Sequence, residues 1–183
     1  MLSNEFINED IIQQIKSTNP IYVYVIGGSA SGKNYWYENN LADIPLVDID
    51  EFVKQLAKET GNDPRKLVSK GIALVNKELT DKFTNGISVG QTGNGGNTKG
   101  VYNRLKKAKD AGFETALILV DTEPEEAIAR NQQRVQRGGH GDTLSDDKIR
   151  RTNEYARKTF NELKNSDVVT YAEKVTSWEL ERY

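Results

Sequence analysis

The 183-residue chain sets 25 Lys and Arg against 27 Asp and Glu, for a formal net charge of −2, and contains one histidine and no cysteine. That length suits a single α/β domain spanning residues 1–183, and the missing thiols exclude disulfides, thiolate nucleophiles and cysteine-bound zinc. The near-neutral total excludes a global basic field for polyanions, and no apolar run approaches the roughly 18 residues of a membrane span. The acidic start, MLSNEFINEDIIQQ, lacks the basic and apolar regions of a signal peptide, so the cytoplasm is the expected compartment.

Hydrophobic spacing predicts an alternation of helices and strands. An amphipathic helix is expected within residues 1–18, from about Asn4 to Ile15, with Phe6, Ile7, Ile11 and Ile15 on one face. A first strand at Ile21 to Ile26 is apolar enough to be buried on both faces, and a helix should start near Lys33. Pro45 to Asp48 reads as a short second strand, followed by a helix from Glu51 to Glu59 that buries Phe52, Val53 and Leu56. After a break at Gly61 to Asp63, a longer helix from Pro64 to Phe83 presents Leu67, Val68, Ile72, Val75 and Leu79.

A weak third strand is predicted at Ile87 to Gly90, then a glycine-rich mobile loop, QTGNGGNTKG, and a helix from Val101 to Ala111. The fourth strand is Thr115 to Val120. Thr122 and Glu125, with Pro124 between them, fit a capping box that opens a helix running to about Arg137. Beyond Gly138 and Gly139, Thr143 or Ser145 caps a last helix with Ile149, Tyr155, Ala156, Phe160 and Leu163 at helical spacing. Asp167 to Tyr171 reads as a closing strand. Strands alternating with helices imply a three-layer, doubly wound, mostly parallel sheet of about five strands.

Within this frame IYVYVIGGSASGKN matches the GxxxxGK core of a P-loop, with Gly27, Gly32 and Lys33 at the fixed positions. Gly27, Gly28, Ser29, Ala30, Ser31, Gly32, Lys33 and Asn34 are therefore the expected nucleotide-binding residues. Glycines let backbone N–H groups curl around an anion, and Lys33 would reach the β- and γ-phosphates. Asn34 stands where Ser or Thr normally gives a hydroxyl to magnesium. An amide oxygen is still a hard ligand, so Asn34 and Asp48 are the candidate Mg2+ contacts, with Asp50 and Asp121 able to reach its waters.

Ligands in such sheets bind at the carboxyl ends of the strands, where Asp48, Asp50, Gln91, Thr92 and Asp121 fall. A hydroxyl acceptor of a phosphoryl group needs a carboxylate to orient it and take its proton, which selects Asp48 and Asp50. Spacing leaves both open; if Asp50 caps the next helix, Asp48 alone points inward. Arg130, Arg134 and Arg137 recur at i, i+4 and i+7, a stripe suited to a lid that neutralises the migrating phosphoryl group. Arg150, Arg151 and His140 are weaker candidates. Basic residues outnumber acidic ones five to one between Lys99 and Asp110 and eight to four between Arg130 and Lys158.

The P-loop together with RNQQRVQRGGHGDTLSDDKIRR resembles the P-loop kinases of the zeta-toxin and polynucleotide-kinase group, most of all phage-encoded members. The resemblance runs from Ile21 to about Leu163 and includes the Thr92-Gly93 pair after the third strand. It implies an ATP-dependent (or other NTP-dependent) phosphotransferase using Mg2+. Lys33 would bind phosphate, Asp48 or Asp50 would act as base, and Arg130, Arg134 or Arg137 would act from a helical lid over residues 130–151. Members act on nucleotides or nucleic acids, including hydroxymethylated pyrimidine bases, so a nucleic-acid hydroxyl is the first expected acceptor and a host cytoplasm the expected setting. Asn34 and the missing acid at Gly90-Gln91 depart from the pattern. A sugar-nucleotide kinase and a non-catalytic nucleotide-binding module are the alternatives; without an NKxD signature, GTPase readings rank lower.

Overall fold

The computed structural model describes residues 9–136 and 144–176. Five strands, β1 (Ile21–Ile26), β2 (Leu46–Val47), β3 (Val89–Gly93), β4 (Glu114–Asp121) and β5 (Tyr171–Thr176), form one sheet in the order β2-β3-β1-β4-β5. Every pairing is parallel. The connections are helical: α1 (Glu9–Ser17), α2 (Lys33–Asn40), α3 (Ile49–Thr60), α4 (Val68–Thr84), α5 (Thr98–Asp110), α6 (Pro124–Gln136) and α7 (Asp146–Leu163). This is the expected three-layer α/β architecture.

The central strand shows why the sheet must be covered on both sides. All six residues of β1 are buried, and they alternate: Tyr22, Tyr24 and Ile26 pack with α4, α5 and α7, while Ile21, Val23 and Val25 pack with α1 and α2. β4 repeats the pattern, sending Leu117 and Leu119 one way and Ala116, Ile118 and Val120 the other. At about 25 cal/mol per Å2 of apolar surface, such two-sided burial is the main stabilising term of the sheet.

Several boundaries differ from the sequence expectation, each for a local reason. β1 and the start of α2 lie where predicted, but α1 extends to Ser17, burying Ile12 and Ile15 with Ile11 partly covered; Phe6 and Ile7 lie outside the described residues. β3 begins two residues late and runs through Gly93, because Gly90 to Gly93 pair with β1 and Gly90 and Gln91 also with β2. Six of the ten residues of the supposed mobile loop are thus sheet or helix, since α5 already starts at Thr98 with Asn97 accepting from the Gly100 N–H. Pro64 opens only a 3-10 turn, and Val68 and Ile72, predicted to be buried, are exposed along with Tyr155. β5 starts where the last strand was expected to end; Val168 instead turns into the core.

Candidate active site

The loop between β1 and α2 is shaped by backbone conformations that few residues adopt. Gly32 sits at φ +86° immediately before α2, and Ala30 is also left-handed at φ +61°. A methyl at Gly27 would stand 2.4 Å from Ser31 Oγ and 2.9 Å from the Val120 carbonyl, and one at Gly28 would stand 2.3 to 2.5 Å from the Asn153 amide. The loop therefore rests tightly on β4 and α7. Ser29 N donates to Thr152 Oγ1 at 3.0 Å, and the Ser31 carbonyl accepts from Thr122 Oγ1 at 2.8 Å and from Arg130 at 3.3 Å.

Thr152 and Asn153 carry no expectation from the sequence, and Thr122 is expected there only as a helix cap. Thr122 is fully buried and its hydroxyl serves the P-loop, not α6, while Glu125 pairs with Arg150; the capping box is not formed. For Asn153 a signal existed, because it interrupts the apolar Ile149 and Ala156 stripe of α7 with a polar residue that is 2% exposed. Its Nδ2 donates to the Ile149 carbonyl, which satisfies one of its polar groups inside the fold.

Lys33 opens α2, and its ammonium approaches the Gly28 carbonyl at 3.4 Å. Burial pushes the Lys33 pKa down; the carboxylates of Asp50 and then Asp48 pull it back up, and the positive charge of Arg134 pushes it further down. These opposing influences place two acids and one arginine within electrostatic reach of the lysine. Arg130 is committed to the Ser31 carbonyl and to an ion pair with Glu126, whereas Arg134 has no ion pair among the described residues. Arg137, His140 and Thr143 lie outside the described residues. Ser145 is the cap of α7, donated to by the Lys148 N–H.

The two acids at the end of β2 have different surroundings, and the helix cap that spacing left open falls to Asp48. Asp48 is the N-cap of α3: its Oδ1 accepts from the Asp50 N–H at 2.9 Å, and its Oδ2 accepts from Asn34 Nδ2 at 2.6 Å. It is 7% exposed. Asp50 lies in the first turn of α3, with its carboxyl pKa raised by desolvation and by the charge of Asp48, against the lowering influence of Lys33 and Lys54. Capping is thus the task of Asp48, while the Asp50 carboxyl accepts no hydrogen bond among the described residues and feels the charge of Lys33.

Three strand-end candidates are engaged elsewhere. Gln91 is buried and accepts from the Tyr22 hydroxyl at 2.7 Å, on the far side of the sheet from α2. Asp121 is gripped by Arg157 at 2.6 Å and by Lys174 at 3.4 Å. Thr92 is buried at the end of β3 beside Val25. Among the described residues no three His, Asp or Glu side chains converge on a metal. A magnesium ion held by phosphates and water asks for only one or two protein ligands, and Asn34 fits: with Nδ2 turned to Asp48, its Oδ1 accepts no hydrogen bond among the described residues.

Beside the P-loop, a cavity of about 360 Å3 opens between α2, β2, α3 and α4, lined by Asn34, Asp48, Phe52 and three glutamates among others. The glycine-rich loop that carries Lys33 and the carboxylate-lined cavity thus meet at Asn34.

A family model described as an AAA domain matches residues 23–159. No curated protein matches. Among solved structures, the fold is similar to that of a protein from Chloroflexus aurantiacus described as a candidate kinase, at 15% identity and TM-score 0.66 over 91% of this chain and 90% of that one. It is also similar to a chain of the PezAT toxin-antitoxin system of Streptococcus pneumoniae, at 15% identity and TM-score 0.65 over 94% and 79%. A chain of the Pnkp1/Rnl/Hen1 RNA repair complex matches at 14% identity and TM-score 0.63, covering 80% of this chain and 47% of that one. No helix among the described residues is long and apolar enough to cross a membrane.

Proposed function

The chain belongs to the AAA-domain family, and on that premise we propose that it is an ATP-dependent kinase that transfers the γ-phosphoryl group to a hydroxyl. The observation that carries the reading is the joining of the lysine loop to the acids that end β2: Lys33 reaches the Gly28 carbonyl while its neighbour Asn34 is hydrogen-bonded to Asp48, and the charges of Asp50, Asp48 and Arg134 all act on Lys33. A nucleotide-storing module needs the loop and the lysine; it has no use for a carboxylate held at the same point with its pKa raised.

The roles follow from the surroundings. Backbone N–H groups of Gly28, Ala30, Gly32 and Lys33 cradle the phosphates, those of Gly27, Ser29 and Ser31 being bonded within the fold, and Lys33 neutralises the β,γ-bridge. Asp50 accepts the acceptor's proton as its oxygen bonds to the γ-phosphorus and the bond from that phosphorus to the β-phosphate oxygen breaks, releasing ADP. Asp48 positions Asn34 and the start of α3. Arg134 neutralises charge on the migrating group. Asn34 and Asp48 would hold Mg2+, whose chemistry is to neutralise the phosphate oxygens. Because an amide is a weaker ligand than the usual hydroxyl arrangement, Asn34→Thr is expected to lower the magnesium concentration for half-maximal ATP turnover. Unchanged metal dependence would remove Asn34 from that role.

The nucleic-acid acceptor expected from the sequence has one thread of support in the basic segment of α5, but that segment is largely engaged. Lys106 pairs with Asp110, Lys107 and Lys109 reach threonines, and Arg104 donates to Tyr24. Incubation with γ-labelled ATP and a panel of nucleosides, sugar nucleotides, hydroxymethyl-base DNA, 5′-hydroxyl oligonucleotides and small polyols tests the kinase reading. Label in any acceptor supports it. ATP binding with no transfer to any of them would reduce the protein to a nucleotide-binding module.

A further inference from the structure

The cavity beside Asp48 is a concave space at the mouth of the phosphate-binding loop, near the lower end of the roughly 300–1,000 Å3 typical of small-molecule sites. It has room for a sugar-sized ring. Val47 and Phe52 give it an apolar wall, Asn34 and Gln55 give amide groups, and its remaining polar lining is Asp48, Glu38, Glu51 and Glu78. No lysine or arginine lines it.

The charges are only partly offset. Glu51 pairs with Lys54 at 2.6 Å and Glu78 with Lys82 at 3.4 Å. Asp48 is held by an amide and a backbone N–H, neither of which carries a charge, and Glu38 has no ion pair among the described residues. An anionic acceptor entering here would face four carboxylates, only two of them paired, and no cation in the lining, whereas sites that take phosphate esters or nucleic-acid backbones supply Lys and Arg for each charge. Neither Lys33 nor Arg134, the cations expected to meet the γ-phosphate, lines this cavity.

We infer that the acceptor is a small alcohol bearing a protonated amine, of amino-sugar or aminocyclitol type. This rests on the kinase reading above; the cavity and its place beside Asp48 make the site, and the carboxylates select what enters it. The ammonium group lies against Glu38 and Glu78, which leaves a ring hydroxyl at the Asp48 end of the cavity, next to the first turn of α3 that carries Asp50. The hydroxyl gives its proton to Asp50, bonds to the γ-phosphorus and leaves ADP and a phosphorylated amino alcohol.

The test compares glucosamine with glucose, and both with glucose 6-phosphate and an oligonucleotide carrying a hydroxymethyl base, using γ-labelled ATP. Glucosamine is expected to exceed glucose in kcat/KM by about tenfold or more, a preference that fades as pH rises past the amine's own pKa. Glu38→Gln with Glu78→Gln should raise KM for glucosamine and narrow the ratio while leaving the affinity for a non-hydrolysable ATP analogue within about twofold. Preferred labelling of the sugar phosphate or the oligonucleotide overturns the inference, as does a glucosamine-to-glucose ratio near one. So does absence of label in both sugars from a protein that binds the analogue. If calorimetry finds no binding of the analogue, the kinase reading falls, and this inference with it.

Discussion

The kinase reading divides the site into a phosphate half and an acceptor half, and the two are built by different means. The phosphate half is made of main chain held by main chain and short side chains: Gly27 against the Val120 carbonyl, Gly28 against Asn153, Ser29 on Thr152, and the Ser31 carbonyl under Thr122 and Arg130. The acceptor half is made of side chains on a two-residue strand and the helices beside it, around an open cavity. The first half has almost no chemical freedom, since its task is to hold backbone dipoles in one place. The second is where exchange of a few carboxylates changes what is bound.

That contrast can be broken most forcefully at Lys33. Lys33→Met should lower phosphoryl transfer about a thousandfold or more and weaken ATP binding, measured by calorimetry and label transfer. A smaller loss in both would mean that the loop binds something other than a nucleotide's phosphates. Asp50→Asn probes the other half and should lower transfer about a hundredfold to a thousandfold with ATP affinity retained.

The pH dependence of Asp50 gives that exchange a second signature. A carboxyl with a raised pKa stays protonated to higher pH, so the acid limb of kcat/KM should lie above the ordinary aspartate value. The same shift has a stability consequence of definite sign. The folded chain binds this proton more readily than the unfolded one, so the favourable contribution exists at low pH and is lost as pH rises through the raised pKa. At neutral pH, Asp50→Asn should therefore leave Tm unchanged or higher. Loss of both activity and Tm would make Asp50 structural.

Smaller effects test the bracing of the phosphate half. Gly28→Ala must displace a buried amide, and a cost of about 1–3 kcal/mol is expected, recovered in part by Asn153→Ala in the same chain. Urea denaturation of the two variants and the pair measures the coupling; additive losses would show that the loop does not lean on α7. Thr122→Val removes one of two donors to the Ser31 carbonyl and should cost about 1 kcal/mol, with a few-fold loss of ATP affinity. Wild-type behaviour would assign that carbonyl to Arg130 alone.

Legibility in the sequence followed the same division. The P-loop could be read because glycine spacing answers directly to backbone conformation, and β1 because two-sided burial leaves an unbroken apolar run. β3 was misplaced because its glycines look like loop; hydrogen bonding to two neighbours and the ring of Tyr37 lying against Gly90 override the local preference. Thr122 and Glu125 had the spacing of a capping box, but the buried Ser31 carbonyl competed for the hydroxyl and Arg150 for the carboxylate. Asp48 and Asp50 were both visible as candidates; only the start of α3 at Ile49 distinguishes the cap from the free carboxyl. The acidic cavity was not legible at all, since Glu38, Glu51 and Glu78 come from three separate helices and look like solvated faces.

The most direct measurement is the affinity of Asp50→Asn for a non-hydrolysable ATP analogue, taken by calorimetry alongside its rate of label transfer. Analogue affinity within about twofold of the parent with transfer lost is expected if one half binds the donor and the other does the chemistry. Affinity lost in parallel with transfer, or transfer left intact, would contradict that division.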